Sequence, residues 1–260
     1  MVHHAKTKTY KKEEINMVKI ELKDGSIKEV EQGSSILDIA KSISEALARV
    51  ATAGKVDGEV KDLRTVINED CKLEILTFDN DLDGKKAYWH TTSHIMAQAI
   101  KRLFPEVKLA IGPSIDEGFY YDFESEPFSR EDLDNLEKEM KKIIKEGNRL
   151  EKFTLPREEA IALMKEKEEP YKVELIEDLP EDATISFYKQ GDFTDLCAGP
   201  HLMSVKPIKA FKLTASSGAY WRGNENNKML TRIYGTAYTK KADLEERLKY
   251  LEAVSYTHLR

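Results

Sequence analysis

Cysteine is scarce in this sequence: two residues, Cys71 and Cys197, among 260. Thiols so few and so far apart exclude a disulfide framework, and each reads as a free thiol or a ligand. Long apolar runs are also absent. No stretch approaches the roughly 18 consecutive apolar residues of a membrane span, and the N-terminus lacks the apolar centre of a secretory signal. A cytoplasmic location is therefore expected. Nor is there a surplus of positive charge, since 41 basic side chains stand against 47 acidic ones for a net charge of −6. The chain as a whole offers no bulk attraction for nucleic acid. A local strip suffices to dock one RNA, and Lys206, Lys209, Lys212, Arg222, Lys228 and Arg232 are candidates. Each of them reads equally well as a solvated side chain on a strand edge. What is present, 40% hydrophobic residues, is enough to build one large domain or two smaller ones.

Residues 1–16 are polar and basic without apolar periodicity, and read as a flexible leader or an added remnant. From Met17 the pattern alternates on both sides of Lys23-Asp24-Gly25-Ser26, which predicts a hairpin of two antiparallel strands. Ser34 or Ser35 caps a helix carrying Ile36, Ile39, Ala40, Ile43, Leu47 and Val50 at helical spacing, and Gly54 is placed to end it. Strand-like runs follow at 58–60 and 72–77, so residues 17–79 read as a small β-grasp module. The turn-forming stretch 79–84 is the expected linker.

A second module spans 80–239. It opens with a helix from Ala87 to Phe104, stopped by Pro105. Extended segments follow at 108–111 and 119–123, and Ser129 with Asp132 forms a capping box for a helix to Glu146. Its apolar stripe is Leu133, Leu136, Met140 and Ile144, and its charges read as a solvated face. A helix at 156–166 precedes a mixed segment, 171–176, and strands at 185–188, 210–215 and 229–234. The fold class is α+β, with a mainly antiparallel sheet in the second module. A charged helix starts near Lys241 in the last segment, 240–260.

The chemistry concentrates in two spacings. His90 and His94 are four apart on the first helix, one turn apart on one face. Cys197 and His201 repeat the spacing in Asp195-Leu196-Cys197-Ala198-Gly199-Pro200-His201, where Gly199-Pro200 forces a loop. An HxxxH alone is weak, but HxxxH and CxxxH together supply four ligands of the types zinc favours. These segments, with Ala110-Ile111-Gly112-Pro113, Asp116-Glu117-Gly118-Phe119-Tyr120-Tyr121-Asp122, and the blocks 217–223 and 229–237, resemble bacterial threonyl-tRNA synthetases. The later blocks are shared in outline with alanyl-tRNA synthetases and free-standing editing proteins. The β-grasp module ahead of them resembles a TGS domain, and the resemblance covers roughly residues 17–250.

The resemblance implies a proofreading hydrolase for seryl-tRNA(Thr), with the tRNA acceptor end as partner. His90 is expected to activate or position water, and Lys172, in the segment where the family has its functional lysine, to supply charge or a proton. His94, Cys197 and His201 would shape the pocket or hold the water, Asp195 would take the substrate amino group, and Tyr121 and Gly112 would line the pocket. For Tyr121 a plain core aromatic is an equal reading. No tightly bound metal is expected, although related alanyl editing proteins use zinc at a similar site; zinc here would sit on His90, His94, Cys197 and His201. The family continues into a class II catalytic domain using ATP, magnesium and zinc, and then into an anticodon-binding domain, and a homodimer of the full-length enzyme is expected through these further domains. This sequence contains neither, so charging of tRNA is not expected of it. Residues 254–260 depart from the expected linker helix and read as an artificial end, with no role for His258. Two other readings stand: a free-standing zinc-dependent trans-editing hydrolase, and a non-catalytic RNA-binding module.

Overall fold

The computed structural model describes residues 16–257. Strands β1 (Met17–Leu22) and β2 (Ile27–Glu31) form the hairpin, with Val18 and Ile20 turned inward and Lys19 and Glu21 outward. After β3 (Ser34–Ser35) the expected single helix is two, α1 (Ile36–Ile43) and α2 (Glu45–Val50). Ser44, in extended backbone, closes the first and caps the second through its hydroxyl. Local side-chain capping overrode the continuous apolar period here. Gly54 lies inside β4 (Ala51–Val56) rather than at a helix end. There follow β5 (Glu59–Lys61), β6 (Val66–Ile67) and β7 (Cys71–Thr77), and the five-stranded order is β2-β1-β7-β4-β5. The β1–β7 pair is parallel, and Ile36 and Ile39 cover the sheet together with Val18, Ile20 and Leu73.

Helix α3 (Leu82–Leu103) starts within the expected linker, capped by Asp81. No free hinge separates the modules: Gly84 lies so close to β7 that a Cβ there would stand 2.2 Å from the Thr77 carbonyl oxygen. Almost the whole of α3 from Ala87 to Ile100 is buried, so it is the central post of the larger module. It packs against α4 (Arg130–Glu146) and a sheet ordered β14-β15-β10-β8. These strands are β8 (Lys108–Leu109), β10 (Gly118–Glu124), β14 (Ala210–Tyr220) and β15 (Met229–Tyr238), with β9 (Ser114–Ile115) paired to β10. The Ser129–Asp132 capping box is present, and α4 buries Leu133, Leu136, Met140 and Ile143, with Ile144 half-buried beside them.

A three-stranded antiparallel sheet of β11 (Leu150–Leu155), β12 (Ile185–Gln190) and β13 (Phe193–Leu196) packs on α5 (Arg157–Glu166) and α6 (Pro170–Glu177). Helix α6 occupies the segment read as mixed; its Pro170 stands in the first turn, where a missing N–H costs nothing. The overall class is α+β with mainly antiparallel sheets. Helix α7 (Lys241–Thr257) continues past Ala253 as helix, against the expected break at Val254. Residues 1–15 of the expected leader, 1–16, and residues 258–260 with His258 lie outside the described residues. No described helix is long and apolar enough to cross a membrane.

Candidate active site

One helix and one loop bring the four ligand-type side chains together. His90 and His94 stand on the same face of α3, with ring centroids 5.1 Å apart. Beyond β13 the chain leaves the sheet, and the Cys197–His201 loop lays its thiol and imidazole over them. Cys197 Sγ is 3.3 Å from His90 Nε2 and 3.2 Å from His201 Nε2, and it accepts the Gly199 N–H. One donor atom from each of the four residues lies within 4.8 Å of every other.

Thr91 orients the loop. Its hydroxyl donates to the Ala87 carbonyl one turn back, and accepts the Leu202 N–H at 3.0 Å. Having one proton, it meets His201 Nδ1 at 3.1 Å as an acceptor. The proton of His201 therefore sits on Nδ1, and Nε2 presents a lone pair to Cys197. Burial, reinforced by His90 and His94, holds His201 well below the usual imidazole range. Burial also takes His90 down to about 4, opposed by the Pro200 carbonyl and Asp195. Both rings are neutral at cellular pH.

Beside this cluster lies a buried ion pair. Lys172, on α6, stands 2.7 Å from Asp195 Oδ1 as an ion pair and donates to the Tyr121 hydroxyl at 2.9 Å. Tyr121 in turn donates to Asp195 Oδ2 at 2.7 Å. Lys172 is 3% exposed and Asp195 1%. Burial alone would raise the Asp195 carboxyl, but the Lys172 ammonium and His94 hold it below its ordinary value. His94 Nε2 stands 3.7 Å from the same carboxylate. Tyr121 is held well above its ordinary value, first by burial and then by Asp195, and stays a donor.

These groups face a cavity of about 460 Å3, within the range of small-ligand sites. His90, His94, Lys172, Asp195, Cys197 and Gly112 all line it. Two expected residues do not. His201 and Tyr121 are wholly buried behind the wall, His201 supporting Cys197 and Tyr121 bridging the ion pair. Gly112 is held by the Ser93 hydroxyl, which donates to its carbonyl at 2.7 Å, and a Cβ at this position would stand 2.0 Å from the Tyr121 ring. The donor set also fits zinc: tetrahedral Zn–S and Zn–N bonds near 2.3 and 2.0 Å separate ligand atoms by roughly 3.3–3.6 Å, and Cys197 stands 3.2–3.3 Å from its two imidazoles.

The candidate basic strip does not form a free cationic surface. Arg232 is paired bidentately with Asp122, Lys212 with Glu137, Lys228 with Glu124, and Arg222 with Glu174 and Asp178. Only Lys206 and Lys209 of the six are exposed without a carboxylate partner among the described residues.

Residues 185–234, which carry Asp195, Cys197 and His201, match the family model of the threonyl and alanyl tRNA synthetase second additional domain. Residues 18–77 match the TGS domain. The chain is 64% identical over 237 residues to the threonine–tRNA ligase of Acetivibrio thermocellus, covering 91% of this chain. With those of Clostridium botulinum strain Alaska E43 and Clostridium perfringens strain ATCC 13124 it shares 64% over 239 residues and 63% over 237, covering 92% and 91% of this chain. Over nine-tenths of its length the chain is similar to threonine–tRNA ligases. It spans 36–37% of the length of these ligases, and what it carries is their TGS and second additional domains.

Within this family framework, sequence reasoning missed three groups that hold the site. Thr91 lies inside the His90–His94 motif, where a hydroxyl flanking the histidine face of a buried helix is the available signal. Ser93, which ties α3 to Gly112, has the same signal. Asp62 and Arg64, far away in the TGS domain, reach the His201 loop and carry no local sequence signal at all.

Proposed function

We propose that this chain hydrolyses seryl-tRNA made in error on threonine tRNA. Serine lacks one methyl group of threonine, and a synthetic pocket discriminates against so small an absence by only about 1–3 kcal/mol. A second site that admits serine and excludes the methyl provides the missing selectivity. The observation that carries this reading is the cavity wall: a neutral imidazole, a thiol and a buried ammonium–carboxylate pair within one domain of the threonyl and alanyl type.

The chemistry follows from the donors. A water held by His90 attacks the ester carbonyl, and His90 accepts its proton as the new C–O bond forms. Lys172 has three N–H donors: the Tyr121 hydroxyl engages one, and the ion pair with Asp195 occupies a second direction. The third is available to the oxyanion that develops on the carbonyl. As the bond to the ribose oxygen breaks, that oxygen takes the proton from His90, leaving serine and free tRNA. Asp195 keeps acceptor lone pairs for the substrate ammonium, and Gly112 and Cys197 bound the space beside the side chain. His94, the buried His201 and Tyr121 keep these groups in place.

The site requires no metal in this reading, because a base and a positive charge are already supplied by side chains. Zinc held by three of the four donors would instead leave a position for a bound water of lowered pKa. Its fit to the donor set keeps that as the second reading. The deciding assay measures loss of seryl and threonyl groups from threonine tRNA by the 260-residue chain, with and without chelator. Chelator-insensitive loss of serine with threonine spared is expected, and His90→Ala should abolish it while the protein stays folded. Binding of tRNA with no turnover in the wild type would refute the proposal.

A further inference from the structure

The loop between β5 and β6 belongs to the TGS domain, yet its polar side chains point into the second additional domain. Asp62 is buried, and its carboxylate accepts the Tyr188 hydroxyl at 2.7 Å and the backbone N–H of His201 at 3.3 Å. Arg64 is paired with the same carboxylate at 2.8 and 3.0 Å. Its other donors reach the carbonyls of Leu150, Leu202 at 3.1 Å, and His201 at 3.5 Å. The guanidinium also lies over the Tyr188 ring, whose centroid is 4.5 Å from that of His201.

The clamp is itself anchored. The Leu63 and Thr65 carbonyls accept the N–H groups of Leu37 and Ile36 at the start of α1, and Leu63 is buried in the TGS core. Met203, two residues beyond His201, packs against that same core. His201 is thus gripped from one side by Thr91 of its own domain, and from the other by a rigid loop of the neighbouring one. A surface contact between domains would need none of this: surface ion pairs contribute little, whereas a forked guanidinium on three carbonyls fixes geometry.

We propose that Asp62 and Arg64 are positioning residues of the hydrolytic site, so that the TGS domain sets the register of the Cys197–His201 loop. The proposal rests on the hydrolytic reading for its kinetic consequence, but not for its structural one. The loop sets the distances from Cys197 to His90 and His201, so releasing it should move the chemistry without changing how the substrate is held.

The test uses Arg64→Lys in the 260-residue chain, which keeps a cation beside Asp62 but loses the planar fork. Two readouts are taken: kcat and KM for seryl-tRNA hydrolysis, and the alkylation rate of Cys197 resolved by peptide mass, with Cys71 as an internal reference. The expected result is a kcat at least tenfold lower, a KM within twofold, and a Cys197 rate changed at least threefold with Cys71 unchanged. Unaltered kcat and unaltered Cys197 reactivity in a folded variant would overturn the proposal. A wild type without hydrolysis would sink the editing reading alone, and Cys197 reactivity would still decide the positioning role. If the Arg64→Lys protein does not fold, Tyr188→Phe, which removes only the hydroxyl bond to Asp62, is read by the same two measurements.

Discussion

Replacing Lys172 with methionine is the sharpest perturbation of the site, because it leaves a carboxylate without its cation in a place water barely reaches. Asp195 is 1% exposed and keeps only the Tyr121 hydroxyl and the edge of His94 once the 2.7 Å ammonium contact is gone. Breaking a buried pair by removing one partner typically costs about 3–5 kcal/mol, more than the pair itself contributes. The loss should also depend on pH in a defined direction. In the wild type the Asp195 carboxyl is held below its ordinary value, so it stabilises the fold above the unfolded pKa and loses that contribution as pH falls. In the variant burial is unopposed and the carboxyl is raised, so the penalty is greatest near pH 7 and shrinks toward pH 4 as Asp195 takes up a proton. Both tryptophans, Trp89 and Trp221, lie outside the TGS domain in the larger module, so fluorescence in a urea titration reports on that module. A loss under about 1 kcal/mol at pH 7, or a loss that does not diminish at pH 4, would show that Asp195 is solvated and the buried-pair reasoning wrong. The double change Lys172→Met with Asp195→Leu should recover most of the stability and none of the hydrolysis.

Other outcomes follow from the same geometry. With His90 at about 4, hydrolysis should show no inflection near pH 6.5 and decline only toward pH 4, which a rate profile from pH 4 to 8 checks. The unfolded chain takes up the His90 and His201 protons below about 6.5 and the native chain does not, so stability should fall as pH drops from 6.5 toward 4; a titration flat across that window would contradict the two neutral rings. Gly112→Ala puts a Cβ 2.0 Å from the Tyr121 ring, so overpacking of about 1–3 kcal/mol and a displaced cavity wall should appear as a lowered melting temperature with reduced kcat. Protein purified without added metal should contain substoichiometric zinc by elemental analysis, and one equivalent per chain would replace the side-chain base with a metal-bound water.

Elements whose fate is local were legible in the sequence. The β1–β2 hairpin, the Ser129–Asp132 capping box and the α4 stripe each state their structure within a few residues. The misreadings share a cause. Leu47 and Val50 continue the helical period of α1, but Ser44 offers its hydroxyl to the next N–H groups and turns one helix into two. The segment 79–84 has linker composition, yet Asp81 caps α3 and Gly84 permits contact with Thr77, so its polarity serves a helix start at an interface. In both, a competing short-range hydrogen bond or an unseen neighbour decided against composition.

The candidate site was legible in its residue types more than in its roles. Spacing alone placed the histidines on one face and the second pair in a loop, and the four do converge. Which of them faces substrate is a matter of depth, and depth is set by long-range packing. His201 and Tyr121 carry the same motif signals as His90 and Gly112, yet lie behind the wall, because β13 turns Asp195 inward and the loop passes over α3. A substitution at a lining residue removes a group the substrate meets. One behind the wall moves the groups that remain, so its effect should fall on kcat and be partly restored by the nearest isostere. His201→Asn, which preserves a donor toward Thr91, should therefore retain more hydrolysis than His201→Ala, whereas His90→Asn should retain no more than His90→Ala. Equal losses across both pairs would mean that His201 does more than hold Cys197, and that the wall is drawn one layer too shallow.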